Sequence, residues 1–250
     1  MFQAESKNYL IRALDSLNIN HKEINILALE LFYSNLIDWN KNINLTRITE
    51  EKDFLIKHVI DSLTILKAFD NNKLENLKII DIGTGPGFPS LPFWIFFPNN
   101  KITLLDSVKK KLSFIENTII KLNKLDNFYN LENIEIVHSR AEDLAHNINY
   151  REKFDLSLNR AVASLNILIE LNLPFLKTSS FMLAMKSDKI EDEIKSSNNS
   201  LNKIGGKIEK IINFNLFGTD IKRNIILIKK IKKTLKTYPR KTFLIKEKPL

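Results

Sequence analysis

Three of the chain's six glycines stand within five positions, Gly83-Thr84-Gly85-Pro86-Gly87, directly after the apolar run Leu77 to Ile82 with its acid Asp81. That spacing predicts a buried strand ending in a turn that tolerates positive φ and, lacking Cβ atoms, lets a ligand approach the backbone closely. Pro89 and Pro92 suit the opening of a helix, where a missing N–H costs little. Phe88 occupies the place where a dinucleotide fingerprint G-x-G-x-x-G wants its third glycine. The G-x-G-x-G spacing therefore points away from NAD and towards the nucleoside loop of S-adenosylmethionine (AdoMet) enzymes. Asp106, at the end of the next apolar run, can accept both ribose hydroxyls of a bound nucleoside. An N-cap for a helix starting near Val108 is the other role open to it, and one carboxylate can serve both. After Ile134–Val137, the Ala141 N–H and the Glu142 carboxylate can frame an adenine edge, or Glu142 can simply be a helix-start acid.

The chemistry is bounded by what is missing. The segment Ser157-Leu158-Asn159-Arg160-Ala161-Val162-Ala163-Ser164 lacks the Pro-Pro-aromatic motif by which amino-directed adenine methyltransferases hold an exocyclic amine. The chain has no cysteine, which excludes disulfides, Cys-zinc sites and the thiol nucleophile of cytosine C5 chemistry. What remains is an acceptor that is already nucleophilic. Guanine N7 is one: its lone pair is free, and no proton is lost on methylation, so positioning and desolvation suffice. No discrete catalytic residue is assigned. The four histidines, His21, His58, His138 and His146, have no metal-ligand spacing, and no metal is expected. His58 and Asp61, one helical turn apart, read first as a helix-to-domain hydrogen-bonding pair and second as an RNA or cofactor contact. Trp39 and Trp94 read as core.

The elements that would position these residues follow from periodicity. Residues 2–69 are helical in pattern, with Leu10, Leu14 and Leu17 on one face and Ile24, Leu27 and Leu31 on another. An Asn-rich loop at residues 40–44 follows, and Thr49 reads as the N-cap of a third helix over Phe54 to Phe69. Strands and helices then alternate: strands at Ile79–Ile82, Ile102–Leu105, Ile134–Val137, Phe154–Leu158 and Phe181–Met185, with helices at Leu91–Phe97, Lys110–Leu122, Ala141–Ala145, Ala161–Leu173 and Glu191–Leu201. Strict alternation implies a parallel sheet covered on both faces. Lys207–Phe214 and Asn224–Lys229 are joined by a short loop and must be antiparallel. The expected fold is an α/β, Rossmann-like, seven-stranded methyltransferase sheet with an antiparallel last strand. The expected domains are a helical cap at 1–72, an AdoMet-binding domain at 73–232 and a basic tail at 233–250.

The net charge of +9 is unevenly placed, in Lys109-Lys110-Lys111 and in the tail from Lys222 onward. Such patches are the footprint of a polyphosphate partner. Lys109 and Lys110 lie just past Asp106, where a transferred group must emerge; with Lys236, Arg240 and Lys241 of the tail they are candidate RNA-phosphate contacts. No secretory h-region or bilayer-length apolar run occurs, so a cytoplasmic monomer without membrane contact is expected.

Taken together, Trp39-Asn40-Lys41, Ile43-Asn44-Leu45-Thr46, His58-Val59-Ile60-Asp61-Ser62-Leu63, Asp81 to Pro89, Leu105-Asp106-Ser107, Ser139 to Glu142, Arg160 to Leu165 and Tyr238-Pro239-Arg240-Lys241 resemble, in order, the motifs of the RsmG (glucose-inhibited division protein B) family. These are small-subunit rRNA guanine-N7 methyltransferases. The resemblance implies AdoMet-dependent N7 methylation of one guanine in the 530 loop of 16S rRNA, with 16S rRNA or a small-subunit precursor as partner. Carried over by position, it implies AdoMet contacts at Gly83, Phe88, Asp106, Ala141, Glu142 and Arg160, beside Gly85 and Gly87 of the loop. The chain departs from the family pattern at Ser187, where glycine is commoner, and after Lys241, where Thr242-Phe243-Leu244-Ile245 replaces a Gly-Pro-containing tail. Two other functions are compatible with parts of the sequence: an NAD-type oxidoreductase on the same sheet, and a non-catalytic RNA-binding or assembly factor.

Overall fold

A computed structural model describes residues 1–69, 74–126, 129–160 and 163–250. Ala161 and Val162, expected to begin a helix, lie outside the described residues, as does the expected domain boundary at 72–73. The strands are β1 (Lys78–Ile82), β2 (Lys101–Asp106), β3 (Ile134–His138), β4 (Phe154–Arg160), β5 (Leu176–Lys186), β6 (Gly206–Asn215) and β7 (Lys222–Lys230). They form one sheet in the order β3-β2-β1-β4-β5-β7-β6. The first five are parallel, and β7 runs antiparallel to both β5 and β6. β5 starts earlier than its apolar run because the polar residues 177–180, the first three of them exposed, still belong to the strand, beyond a register shift opposite β4. The helices are α1 (Ala4–Ser16), α2 (Glu23–Asn40), α3 (Glu51–Phe54), α4 (Asp61–Leu63), α5 (Ser90–Phe96), α6 (Lys109–Leu125), α7 (Ala141–Leu144), α8 (Leu165–Asn172), α9 (Glu191–Ser196), α10 (Asn198–Ile204) and α11 (Thr242–Glu247). The single helix expected over Glu191–Leu201 is split at Ser197, whose hydroxyl bonds back to the Ile194 carbonyl.

Alternation along the strands divides the core between two faces. Ile79, Ile102, Leu104, Leu156, Leu158 and Leu183 pack with α1, α2, α5 and α6, whereas Ile80, Ile82, Leu105, Met182 and Ala184 pack with α7, α8 and α10. Trp94 is fully buried and Trp39 packs edge-on against Phe114.

Three expectations for the amino-terminal helices are corrected. α2 buries Ile26, Leu29, Phe32 and Leu36 and leaves Ile24, Leu27 and Leu31 half-exposed. The helix is apolar nearly all round, so periodicity alone does not choose its inward face. Thr49 is not a cap: α3 follows an extended Glu50, and the Thr49 carbonyl accepts from the Tyr33 hydroxyl at 2.8 Å. The third helix is also not uniform, for between α3 and α4 the turns of Leu55–Ile60 are π-helical, and Thr64–Ala68 closes as a 3-10 turn.

Phe32 sits among Phe54, Phe88 and Phe114, with ring centroids 5.2–6.1 Å apart. Phe32→Ala should cost about 3–5 kcal/mol in urea unfolding, against about 1 kcal/mol for Leu27→Ala on the half-exposed face. Equal losses would contradict the assigned face.

Candidate active site

A cleft of about 480 Å³ opens at the carboxyl ends of β1, β2 and β4, the place where open α/β sheets bind ligands. It brings together seven of the eight cofactor candidates: Gly83, Gly85, Phe88, Asp106, Ala141, Glu142 and Arg160. The glycine turn hangs on β2, because the N–H groups of Gly83 and Thr84 donate to the Leu105 carbonyl at 2.8 and 3.1 Å. Gly85 has φ +59°, and a Cβ there would meet nothing within 4 Å; the backbone is bare towards open space. Gly87 is the exception. At φ +94°, a Cβ would lie 2.5 Å from Leu91 Cδ1, and the residue does not line the cleft. Its glycine serves the packing of the turn on α5.

Of the two roles that its position suggested, Asp106 fills the one at the start of α6, and it also fastens the glycine turn. One carboxylate oxygen accepts the Gly85 N–H at 2.9 Å, and the other accepts the Val108 N–H at 2.8 Å, at the start of α6. The side chain thus fixes the turn to the end of β2 while its remaining lone pairs stay available to hydroxyls in the cleft. Beneath the turn, burial pushes the Asp81 carboxyl up to about 7, and Thr84 Oγ1 donates to it at 2.9 Å. The open Gly85 backbone and the partly satisfied Asp106 carboxylate fit the hydroxylated sugar and charged chain of a nucleoside such as AdoMet.

Arg160, at the end of β4, is held by the helical segment that crosses the cleft. Its Nη1 donates to the Lys57 carbonyl at 3.0 Å and to Asp61 at 3.3 Å, and its Nη2 donates to His58 Nδ1 at 3.0 Å. The guanidinium also lies 5.0 Å from the Phe88 ring centroid. Asp61 holds a second arginine, Arg223 of β7, at 3.1 Å, so His58 and Asp61 do bridge helix and sheet. His58 also lines the cleft, stacked on Phe88 at 4.1 Å. Since Nδ1 accepts from Arg160, the ring proton belongs on Nε2, which donates to Thr46 Oγ1 at 2.8 Å. Burial and the Arg160 charge hold the imidazole down at about 3. The Asn-rich loop has a purpose here: the Asn40 side chain accepts the N–H groups of Leu45 and Thr46 and so presents Thr46 to His58.

The cations divide. Lys109, Lys110, Lys236 and Lys241 are exposed, and Lys111, part of the charge cluster but not among the candidate contacts, lines the cleft. Arg240 is taken up inside the fold: its Nε and Nη2 grip both Glu170 oxygens at 2.8 and 2.7 Å, and Nη1 donates to the Lys248 carbonyl at 3.0 Å. Three of its nitrogens are thereby engaged, in contrast to the exposed lysines. Thr242 was likewise missed. Its hydroxyl donates to Glu142, a pairing across a hundred residues that no local pattern signals. No helix among the described residues is long and apolar enough to cross a membrane.

The sheet order and its cleft define a Rossmann-like methyltransferase fold. TrmN from Thermus thermophilus matches with a TM-score of 0.50 over 69% of this chain and 48% of that one, at 13% identity. The [4+2]-cyclase SpnF matches with a TM-score of 0.50 over 69% and 81%, also at 13% identity, so the likeness speaks to fold alone. Sequence goes further. The profile of rRNA small subunit methyltransferase G matches residues 25–226. Proteins named Ribosomal RNA small subunit methyltransferase G are 45% identical over 219 residues in Thermoanaerobacter pseudethanolicus, covering 88% of each chain, and 42% identical over 236 residues in Clostridium botulinum, covering 94% of each. The chain belongs to the rRNA small subunit methyltransferase G family.

His58 gives this site a measurable signature. An unfolded histidine takes its proton near 6.5, whereas His58 in the fold takes it only near 3. Its stabilising contribution is therefore full above 6.5 and is lost as pH falls towards 3. On going from pH 7.5 to 4.5, the parent should lose about 2–3 kcal/mol more stability than His58→Gln. Urea midpoints at the two pH values would show this, and parallel losses would contradict a neutral, buried His58.

Proposed function

We propose that the chain transfers a methyl group from AdoMet to N7 of a guanine in the 530 loop of 16S rRNA. Membership of an rRNA small subunit methyltransferase family supports the substrate class. The observation that carries the cofactor reading is the Asp106 carboxylate bridging the Gly85 and Val108 N–H groups beside a glycine whose Cβ position is open. Asp106 would hold the ribose hydroxyls, the Ala141 N–H and Glu142 would hold the adenine edge, and the open glycine turn would leave room for the amino-acid chain. AdoMet, when bound, supplies a methyl group on a sulfonium, an electrophile needing no further activation.

The protein's task is then positional. The guanine N7 lone pair forms the new N–CH₃ bond as the S–CH₃ bond breaks, and the bonding pair stays on sulfur. No proton leaves the base, so no side chain has to act as general base. Phe88, with Arg160 and His58 against its ring, walls the cleft and excludes water from the reacting atoms. Lys111 on the cleft wall, with Lys109 and Lys110 outside it, draws the phosphates of the RNA to this end of the sheet.

Calorimetry with AdoMet tests the cofactor site. Gly85→Ala should cost about 1–2 kcal/mol of stability through its left-handed φ, yet weaken AdoMet at least about tenfold, with NAD binding to neither protein. A Gly85→Ala variant that binds AdoMet like the parent, or a parent that binds NAD instead, would overturn the reading. The RNA face is tested by salt. Changing Lys109, Lys110 and Lys241 to Gln should flatten the slope of log affinity against log salt by roughly two to three units, while AdoMet affinity stays put. A slope equal to the parent's would place the RNA elsewhere.

A further inference from the structure

Beyond β7 the chain turns back towards the cleft, and it is held there firmly. Arg151, in the loop before β4, donates Nη1 to the carbonyls of Ala145 and Tyr238 and Nη2 to those of Thr234 and Leu235, at 2.9–3.0 Å. The His146 ring nitrogen Nε2 meets the Pro239 carbonyl at 2.9 Å. Arg240 forks onto Glu170 of α8, itself only 1% exposed. These anchors fix the backbone immediately before Thr242, and Ile245, 3% exposed, seats α11. Thr242 then donates its hydroxyl to the carboxylate of Glu142, a residue of the cleft wall. Among the described residues it is the one group that forms a side-chain hydrogen bond to that carboxylate.

We propose that this carboxyl-terminal strap is part of the cofactor site, with Thr242 the positioning residue that holds the Glu142 carboxylate towards the adenine edge of AdoMet. The proposal rests on the reading of the cleft as an AdoMet site. Glu142 stands on α7, a helix of four residues, and among the described residues its flexible side chain has no other side-chain hydrogen bond. A hydrogen bond to an ionised acceptor is of the stronger kind, and here its donor is fixed by the charge-assisted anchors of the strap. Held in this way, the carboxylate is set to accept from an exocyclic amine. It would oppose the carbonyl oxygen that hypoxanthine carries in the same place. The strap thereby contributes to selectivity for adenine over hypoxanthine.

The test is calorimetry on the full chain with S-adenosylhomocysteine and its inosine counterpart, S-inosylhomocysteine. Thr242→Val should weaken S-adenosylhomocysteine about tenfold and narrow the preference for it over the inosine ligand, with the melting temperature unchanged. Thr242→Ser should restore both, and Phe243→Ala, on the exposed side of the same helix, should behave as the parent. If Thr242→Val binds and discriminates like the parent while Glu142→Gln does not, the strap has no part in the site and the cofactor reading stands. If Glu142→Gln also behaves as the parent, the adenine assignment falls and the proposal with it. An affinity loss that comes with a lower melting temperature and is not restored by serine would make Thr242 merely structural, which also overturns the proposal.

Discussion

A guanidinium buried at the end of β4 sets the terms for the architecture around it. Arg160 cannot shed its charge and loses most of its hydration, a cost of several kcal/mol unless every N–H finds an acceptor. Those acceptors come from the π-helical turn: the Lys57 carbonyl, His58 Nδ1 and, just beyond it, Asp61. Asp61 is shared with Arg223 on β7, and one face of the guanidinium rests near Phe88 of the glycine turn. Four segments distant in sequence are thereby brought to one charge. The helical segment cannot leave the cleft without stranding Arg160, and this is how the amino-terminal helices come to form a wall of the site.

Asp106 does for the glycine-turn side of the cleft what Arg160 does for the helical side. Its two oxygens join the glycine turn to the start of α6, so the shape of the turn and the direction of the lysine-bearing helix are set by one carboxylate. The strap at the carboxyl terminus closes a third side through Thr242 and Glu142. Each wall of the cleft is thus held by a charge-assisted contact between segments, and the candidate phosphate contacts Lys109, Lys110, Lys236 and Lys241 stay exposed.

The sheet was legible in the sequence because apolar runs of strand length alternate with helical periodicity and are punctuated by acids and glycines. The antiparallel finish followed from the shortness of the loop between β6 and β7. The gathering of these residues at one cleft was legible for the same reason: Gly83, Gly85, Ala141 and Glu142 follow strand ends and Asp106 closes β2. What escaped is what depends on long-range partners. The inward face of α2 is chosen by Phe54, Phe88 and Phe114, and no pattern within α2 reveals them. Gly87 and Arg240 carry motif positions, but Leu91 and Glu170 decide what they do. The π-turn that aims His58 at Arg160 leaves no mark in a sequence that reads as ordinary helix.

The central claim is that this cleft delivers a methyl group to guanine N7 of 16S rRNA. Digestion of 16S rRNA from cells with and without the gene, followed by mass spectrometry of the nucleosides and their oligonucleotides, tests it most directly. The account predicts one 7-methylguanosine, in a fragment of the 530 loop, present with the gene and absent without it. An unchanged set of modifications, or loss of a different methylated nucleoside, would contradict it.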